Sequence, residues 1–426
     1  MRAATLEAGE RGDALGVFHA TAEDEALDGR IVTVEGRAMI NFGSCGYTGL
    51  EVHPELTGAV VDAVRRYGTQ LSSSRSYLSA PDYPEAEATL SRMFGRPATI
   101  TGSTSMANMA VATTLTTPDD IMLVDAQAHR SLQTAVLVAQ SQGTGMRMVP
   151  HNNTAVLRRW LAELSGRHRR VWYCADGLYS MFGDFAPIDE LDRIAAEYPN
   201  LWLLIDDAHS VSWLGRNGRG SVLDRLSPGT LARTITTGSL NKAFGAAGGV
   251  MTFPDEATRQ EVFTLSWPTI FSGPLQPPML AAVLASARLH LTDEITARQA
   301  HLLRSIRLFN LAAARHGLPL VTPDETPLRY VAAGGSGPAL GLASRLQKAG
   351  FLVNPAIYPA VPAQRSGIRI ALTVHQTDQD IAALAEAIAT LLPQALAEDN
   401  ATAADLTRGF RREFAGREIT LRETVV

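Results

Sequence analysis

The sequence has little cysteine, no excess of positive charge and no long hydrophobic run, and each shortage excludes a class of protein. Its 426 residues include two cysteines, Cys45 and Cys174. Two are too few for a disulfide framework, so we expect a reducing compartment. With 38 Lys and Arg against 43 Asp and Glu, the formal net charge is −5. Such a chain offers no basic field for nucleic acid.

Membrane and metal signals are also missing from the sequence. No stretch approaches the roughly 18 uninterrupted apolar residues that a membrane span needs. Residues 1–15 are charged and lack the apolar core of a secretory signal. The cysteines show no metal-ligand spacing. We therefore expect a cytoplasmic protein with no bound metal, no membrane and no nucleic-acid partner.

Short apolar runs alternate with helical patterns between about residues 50 and 250, which is typical of an α/β fold with a mostly parallel sheet. The runs predict strands at Pro97–Thr101, Ile121–Val124, Met146–Pro150, Val171–Cys174, Leu201–Ile205 and Arg233–Thr237. Apolar residues at helical spacing predict helices at Met106–Leu115, Ser131–Gln142, Ala155–Leu164 and Ile188–Glu197.

The domain organisation follows from these patterns. We expect an N-terminal segment (1–50), a large domain (51–290), a smaller C-terminal α+β domain (291–395) and a tail (396–426). A long helical stretch is predicted from the segment FSGPLQPP to about Ala314, and an amphipathic helix from Asp380. The tail is polar and alanine-rich, which fits either a surface arm or partial disorder.

Polar segments follow the predicted strands, namely TGSTSMAN, DAQAHRS, DGLYS, DDAHS and GSLNK. In sheets of this kind, ligands bind beyond the carboxyl ends of the strands. Lys242 lies in the last segment, among small residues that let the backbone approach a ligand closely. Its amine would suit a Schiff base with pyridoxal 5′-phosphate (PLP). A surface lysine in a glycine-rich turn is the alternative.

Three further residues suit the ring of such a cofactor. PLP needs a carboxylate beside its protonated ring nitrogen, and Asp206 ends a buried strand. His209 follows three residues later and could reach the ring hydroxyl. His129 could stack on the ring face, although an ordinary structural histidine is a live alternative.

Phosphate and carboxylate groups also have candidate partners. Thr104 and Ser105 open a predicted helix whose backbone N–H groups could hold a phosphate, but serine-rich helix caps are common. Ser239 and Ser272 are further hydroxyl candidates. Arg369, in an apolar strand-like run, could bind a substrate carboxylate through two hydrogen bonds or form a salt bridge at the surface.

With these residues in place, residues 40–390 resemble the α-oxoamine synthases, a branch of the fold-type-I PLP enzymes. The similar segments are NFGSCGYTGL, SMAN, DAQAHRS, DGLYSMFGDFAPI, DDAHSVSWLGRNGRGS, TGSLNKAFGAAGGV and IRIALTVH. The resemblance implies a large domain with a mostly parallel, seven-stranded type of sheet and a smaller C-terminal α+β domain. It implies that Lys242 forms the Schiff base, Asp206 pairs with the ring nitrogen, His209 contacts the ring oxygen and His129 stacks on the ring. It also implies that Ser180 lines the cofactor site, Ser239 binds the phosphate and Arg369 binds the carboxylate of the amino acid.

The resemblance also implies a reaction, in which an amino acid or S-adenosylmethionine condenses with an acyl thioester of CoA or an acyl-carrier protein. Lys242, once freed, would move the proton. The family forms homodimers with active sites at the subunit interface. An aminotransferase or aldolase on the same scaffold is the nearest alternative, and a PLP-binding regulatory protein is a second.

Two positions depart from the family pattern. Cys45 stands where asparagine is usual, two residues before Tyr47, and Thr104–Ser105 replaces a glycine–aromatic pair. Both changes fall where the site meets substrate or phosphate, so Cys45 and Tyr47 join the candidate substrate-binding residues. The segments SSSRSYLSAPDYPEAEATL, HRSLQTA and VPHNNTAVLR resemble the autoinducer-synthase branch, which predicts a role in signal or secondary-metabolite biosynthesis.

Overall fold

The structure is a computed structural model that describes residues 2–417, 419 and 421. The chain folds into two compact units. The large unit comprises Leu50–Tyr179 and Phe185–Gln299. The small unit comprises the described residues up to Gly49, the short segment Ser180–Asp184 and the described residues from Ala300 onward. The domain boundaries drawn from the sequence stay predictions.

The described residues contain strands and helices in the following order. The strands are β1 (Ile31–Val34), β2 (Arg37–Asn41), β3 (Ala98–Thr101), β4 (Ile121–Asp125), β5 (Gly145–Val149), β6 (Val171–Asp176), β7 (Leu201–Asp206), β8 (Thr234–Ser239), β9 (Gly249–Thr252), β10 (Leu328–Gly334), β11 (Phe351–Leu352), β12 (Asn354–Ala356) and β13 (Ser366–Ala371). The helices are α1 (Arg2–Ala14), α2 (Pro54–Tyr67), α3 (Tyr83–Phe94), α4 (Thr104–Leu115), α5 (Arg130–Ser141), α6 (Thr154–Leu164), α7 (Ile188–Glu197), α8 (Pro228–Leu231), α9 (Glu256–Leu265), α10 (Trp267–Ile270), α11 (Pro277–Leu289), α12 (Asp293–Arg315), α13 (Ser336–Lys348), α14 (Asp378–Glu398) and α15 (Ala403–Gly409).

The large unit is built on a seven-stranded sheet in the order β3-β9-β8-β7-β6-β4-β5. Neighbouring strands from β8 to β5 run parallel, and β9 is antiparallel to both β3 and β8. The prediction of a mostly parallel α/β sheet is therefore confirmed, and each of the six predicted strands is present. The seventh strand, β9, is short and follows a glycine-rich loop, so no run of apolar residues marked it.

Alternating side chains of the central strands enter two different cores. On β6, Tyr173 packs with Leu161 and Leu191 of the helices α6 and α7. Trp172, one position earlier, joins the opposite core beneath α4 and α5. Because both faces of the sheet are covered, the strand sequences are apolar throughout instead of alternating. The ends of these strands are thereby held by a close-packed interior, which fixes the positions of the polar residues that follow.

The helical stretch predicted up to about Ala314 is interrupted. The structure ends α11 at Leu289, caps it with His290 and starts α12 at Asp293. No glycine or proline marks the break, which is why helical spacing alone did not reveal it.

The small unit contains the sheet β10-β13-β12 and a second sheet of β1, β2 and β11. The helix predicted from Asp380 begins at Asp378, where Thr377 and Asp380 form a capping box. This helix, α14, is long and apolar enough to cross a membrane by length and composition alone. Half of the most apolar stretch of this helix is buried inside the protein, and Leu384 and Ile388 are fully buried. We therefore interpret α14 as a core helix.

Part of the predicted tail is folded. Helix α15 packs beside β10, and Leu406 and Phe410 are fully buried. The ring of Phe410 meets that of Phe182 edge to face, with centroids 6.0 Å apart. Residues 403–417 are thus described as a packed segment, because widely spaced apolar residues anchor an otherwise polar sequence. Residues 418, 420 and 422–426 lie outside the described residues.

Candidate active site

Lys242 lies in the loop that follows β8, and its Nζ atom is 2.8 Å from Nε2 of His209. Main-chain bonds close this loop: Gly245 N donates to the carbonyl of Lys242 (2.9 Å), and Ala246 N donates to that of Leu240 (2.8 Å). The structure therefore brings two predicted residues into direct contact. The sequence contains one other lysine, Lys348, which is exposed at the end of α13 in the small unit.

Asp206 ends β7 and is buried. One carboxylate oxygen accepts a hydrogen bond from Ala208 N (3.1 Å), and the other accepts one from Asn108 Nδ2 (2.7 Å). Asn108 is itself oriented, because its side-chain oxygen accepts a hydrogen bond from Thr237 Oγ1 (2.6 Å). Donors to both oxygens hold the carboxyl group in one orientation. Sequence reasoning missed the two supporting residues, although Asn108 is the last letter of the SMAN motif.

A second buried carboxyl group, that of Asp176, lies beside Asp206. The two residues are register partners at the ends of the adjacent parallel strands β6 and β7. Burial, reinforced by the negative charge of Asp206, raises the pKa of Asp176 well above its ordinary value. Burial therefore favours the neutral form of Asp176 beside the Asp206 carboxyl group. Asp176 was not predicted, although it opens the segment DGLYS at a strand end.

His129 caps the N-terminus of α5 and remains exposed. Its backbone N donates to Asp176 Oδ1 (2.9 Å), and its Nδ1 lies 2.7 Å from Ser131 Oγ. Local desolvation lowers the pKa of the imidazole; Asp206 opposes this effect and Lys242 adds to it. His129 is thus a neutral, accessible ring close to the charges of the site, as stacking on a cofactor requires.

The predicted phosphate-binding residues separate into two groups. Thr104 Oγ1 donates to the carbonyl of Gly238 (3.1 Å), which places the start of α4, including the exposed Ser105, beside the strand end that carries Ser239. A Cβ atom on Gly249 would lie 2.5 Å from Thr104 N, so glycine is required for this close approach. The hydroxyls and N–H groups together suit a phosphate.

Ser272 and Ser180 are placed differently. The hydroxyl of Ser272 donates to the carbonyl of Pro268 (2.6 Å) in the segment after α10. Ser180 belongs to the small unit, where it begins the segment Ser180–Asp184. Their predicted roles toward the cofactor stay predictions.

Arg369 of β13 forms a separate cluster within the small unit. Its Nη2 donates to Sγ of Cys45 (3.1 Å), and its Nε is buried without a hydrogen-bond partner in the described part of the chain. Among the described residues no carboxylate pairs with it, so the surface salt bridge is not observed. Tyr47 is fully buried, and burial raises its pKa well above the ordinary value, so its phenol stays protonated. An unsatisfied guanidinium N–H points to an anionic ligand.

The residues of the large unit fit PLP. Lys242 offers an amine, Asp206 a buried carboxylate for a cationic ring nitrogen, and the start of α4 a phosphate site. A doubly wound sheet that carries this set of side chains at its strand ends defines a fold-type-I PLP-dependent enzyme.

Comparison with known proteins extends this assignment. The family model for aminotransferase class I and II matches residues 37–388. The 8-amino-7-oxononanoate synthase of Stutzerimonas stutzeri is 33% identical over 376 residues, which cover 87% of this chain and 93% of that protein. A putative 8-amino-7-oxononanoate synthase of Caulobacter vibrioides is 35% identical over 370 residues, covering 85% and 91%. The chain belongs to the aminotransferase class I and II family and, within it, to the α-oxoamine synthases, which are PLP-dependent acyltransferases.

Solved structures are similar in fold. A variant of serine palmitoyltransferase from S. paucimobilis, solved with a bound PLP–myriocin aldimine, has a TM-score of 0.83 at 23% identity, covering 93% of this chain and 98% of that one. An 8-amino-7-oxononanoate synthase from Francisella tularensis has a TM-score of 0.69 at 24% identity, covering 85% and 99%. The predicted fold, family and cofactor are confirmed.

Proposed function

We propose that this enzyme condenses an amino acid, or S-adenosylmethionine, with an acyl thioester of CoA or a carrier protein to give an α-aminoketone. The observation that carries the proposal is the contact of Lys242 with His209 in the same unit as the buried carboxylate of Asp206. The relatives named above support the acyl-transfer class.

Charge balance explains the role of the carboxyl pair. When bound, PLP supplies an electron sink for the pair of electrons left on the substrate carbon. Asp206 would hold the positive ring nitrogen, and because burial favours the neutral form of Asp176, one negative charge would meet one positive charge. Asn108 and the N–H of Ala208 fix the carboxylate in place before the reaction begins, so little reorganisation is needed.

Lys242 would hold the cofactor and then, once its amine is free, move a proton to or from the substrate carbon. His209 assists because its Nε2, 2.8 Å away, can accept a hydrogen bond from the ammonium form. The amine therefore has a fixed neighbour in both of its protonation states.

Arg369 is proposed to bind the carboxylate of the amino acid. Its buried, unpaired Nε supports this role, and the protonated phenol of Tyr47 provides a second donor in the same cluster. Cys45 occupies one guanidinium N–H with its sulfur, which is a weak acceptor. A carboxylate would displace it readily.

We further propose a cytoplasmic homodimer that works in signal or secondary-metabolite biosynthesis. In the large unit, large apolar side chains are exposed on two segments: Leu71, Tyr77 (85% exposed) and Leu78 on the first, and Leu265, Trp267 and Phe271 (82% exposed) on the second. Exposed apolar clusters of this kind are typical of protein interfaces. Cys45 and Cys174 form no disulfide in the described part of the chain, which suits a reducing compartment.

The test is a screen of candidate amino-acid substrates and candidate acyl thioesters. Purified enzyme with PLP is mixed with each amino acid or S-adenosylmethionine, and with acyl-CoA or an acyl-carrier protein. We expect thiol release that requires both substrates, with the aminoketone identified by mass spectrometry. Conversion of the cofactor to its pyridoxamine form without any thioester would instead establish an aminotransferase, and cleavage of a β-hydroxy amino acid would establish an aldolase.

A further inference from the structure

The end of helix α11 contacts the loop that carries Lys242. Ser286 Oγ donates to the carbonyl of Phe244 (2.7 Å), two residues after the lysine. The ring of His290 stacks on the ring of Phe244, with centroids 4.7 Å apart and planes inclined by 18°. Ser286, His290 and Phe244 are all fully buried.

Ser212 provides a second connection to the same loop. Its Oγ lies 3.1 Å from the carbonyl of Ala243 and 2.9 Å from Nε2 of His290. Nδ1 of His290 faces the carbonyl of Ser286 at 2.7 Å, so this nitrogen carries the proton and donates it. Nε2 is then an acceptor, and the single hydroxyl proton of Ser212 goes either to Nε2 or to the carbonyl of Ala243, which both lie within hydrogen-bond distance. Burial lowers the pKa of His290 to about 4, which keeps the ring neutral at physiological pH.

Ser212 is held in an unusual conformation to make these contacts. Its φ of 82° lies in the left-handed region, which costs a non-glycine residue on the order of 1 kcal/mol. Its N–H donates to the carbonyl of Gly218 (2.7 Å), and its carbonyl accepts from Gln299 Nε2 (3.2 Å). A Cβ atom on Gly218 would lie 2.6 Å from the carbonyl oxygen of Ser212. The hydrogen bonds and close contacts around Ser212 therefore hold its backbone in the left-handed conformation.

We propose that Ser212, Ser286 and His290 are positioning residues that fix the carbonyls of Ala243 and Phe244 and so keep the amine of Lys242 beside His209 for proton transfer. The proposal rests on the proton-moving role of Lys242 given above. None of the three side chains needs to touch substrate or cofactor, since each acts through the backbone that follows the lysine.

The experiment compares four variants of the PLP-loaded enzyme. Ser286→Ala removes the bond to Phe244, and Ser286→Thr keeps the hydroxyl. His290→Asn places an amide donor near the position of Nδ1 but reaches no further, so it loses the contact with Ser212. The matched control is Ser305→Ala. Ser305 is also a buried helical serine, but the hydrogen bond that its hydroxyl makes among the described residues stays within its own helix, at His301 O (3.4 Å).

Two quantities are measured for each variant. The first is the rate at which the α-proton of the amino acid exchanges with deuterated water, which requires no thioester. The second is the pH midpoint of the absorbance of the lysine-bound cofactor. We expect Ser286→Ala and His290→Asn to slow exchange about 10-fold to 100-fold, as a small misplacement of a reacting group does. Both should shift the midpoint and leave the amino-acid KM unchanged, whereas Ser286→Thr and Ser305→Ala should match the wild type.

Two results would overturn the proposal. One is a fall in melting temperature of Ser286→Ala and His290→Asn with unchanged exchange and an unchanged midpoint, which would make the contacts merely structural. The other is a Ser286→Thr variant as slow as Ser286→Ala. If Ser286→Ala does not fold, Ser286→Cys takes its place. Failure of the proposed acyl transfer is distinguishable, because thiol release would then be absent from the wild type while the exchange effects persist.

Discussion

The strand ends of the large unit and the Arg369 cluster of the small unit differ in how completely their polar groups are satisfied. Both oxygens of Asp206 accept hydrogen bonds, and Lys242 has His209 at 2.8 Å. Arg369 has a soft sulfur partner, and its buried Nε has no hydrogen-bond partner among the residues that the structure describes. The first region is preorganised for one chemistry, whereas the second leaves bonding capacity for a ligand. We infer that the large unit fixes the cofactor chemistry. We also infer that the selectivity for the amino-acid substrate can be adjusted in the small unit.

The largest effect should come from Lys242→Ala, because it removes both the covalent anchor and the proton carrier. We expect α-proton exchange to fall ~10²–10⁴-fold. The absorbance of the lysine-bound cofactor should also disappear. Lys348→Ala is the natural control, since no third lysine exists in the sequence. Borohydride reduction followed by peptide mapping should label Lys242; a label on Lys348 would refute the assignment.

Asp206→Asn should rank second, because the ring nitrogen loses its counter-charge while the fold is kept. Loss of one electrostatic partner in a dry site costs about 3 kcal/mol, or ~10²-fold in kcat. Single-turnover kinetics with a saturating concentration of the amino-acid substrate would measure this loss. Turnover near that of the wild type would show that the carboxylate of Asp206 is not the partner of the cationic ring nitrogen. The proposed difference between the two regions would then be wrong.

Arg369→Ala should act mainly on binding. Removing a charged hydrogen-bond donor costs about 1.5–3 kcal/mol, which corresponds to a ~10-fold to 100-fold rise in the amino-acid KM. The KM of the acyl thioester should not change. Arg307→Ala, an exposed small-unit arginine paired with Glu325, is the matched control. A change confined to the KM of the acyl thioester would show that Arg369 binds the thioester and not the amino acid.

Cys45→Asn tests how far selectivity can be altered. Whereas a thiol is a weak donor, the asparagine amide carries N–H donors that can hydrogen-bond a substrate carboxylate directly. At about 0.5–1.5 kcal/mol, it should lower the KM of a carboxylate-bearing donor ~2–10-fold. Decarboxylated amine analogues, assayed by their effect on cofactor absorbance, should gain nothing. An equal gain for both kinds of donor would mean that the residue does not sense the carboxylate.

The smallest effect on turnover should come from Asp176→Asn, since the amide is neutral like the protonated acid it replaces. We expect kcat within about 3-fold of the wild type. The difference should appear in stability against pH. Because burial raises the pKa of folded Asp176, the wild type loses stability as pH rises above the ordinary aspartate pKa, and the variant should lose less. Denaturant titrations from pH 5 to pH 9 would measure this slope; identical slopes would show that Asp176 is ionised.

Much of the large unit could be predicted because its signals are local. Runs such as Leu201–Ile205 are apolar throughout since both faces of the sheet are covered, and a polar residue right after such a run marks a strand end. Lys242, Asp206 and His209 were found in this way. Asn108 and His290 were not, because their significance lies in contacts between segments distant in sequence, which no local pattern encodes. Asp176 does end an apolar run, but its importance comes from its pairing with Asp206 on the neighbouring strand. The docked helix α15 escaped notice for the same reason: its anchors, Leu406 and Phe410, are isolated apolar residues in a polar segment.

The order in which the small unit is assembled constrains synthesis of the chain. Strand β2 near the N-terminus pairs with β11, and the partner of Ile40 in that ladder is Phe351. A ribosome adding about 5–20 residues per second needs ~15–60 s to proceed from one to the other. During that interval the large unit can emerge and fold while the first 49 residues wait for their partners. Slow translation should therefore prolong the exposure of a half-made sheet, and nascent chains stalled before β11 are expected to be substrates for chaperones.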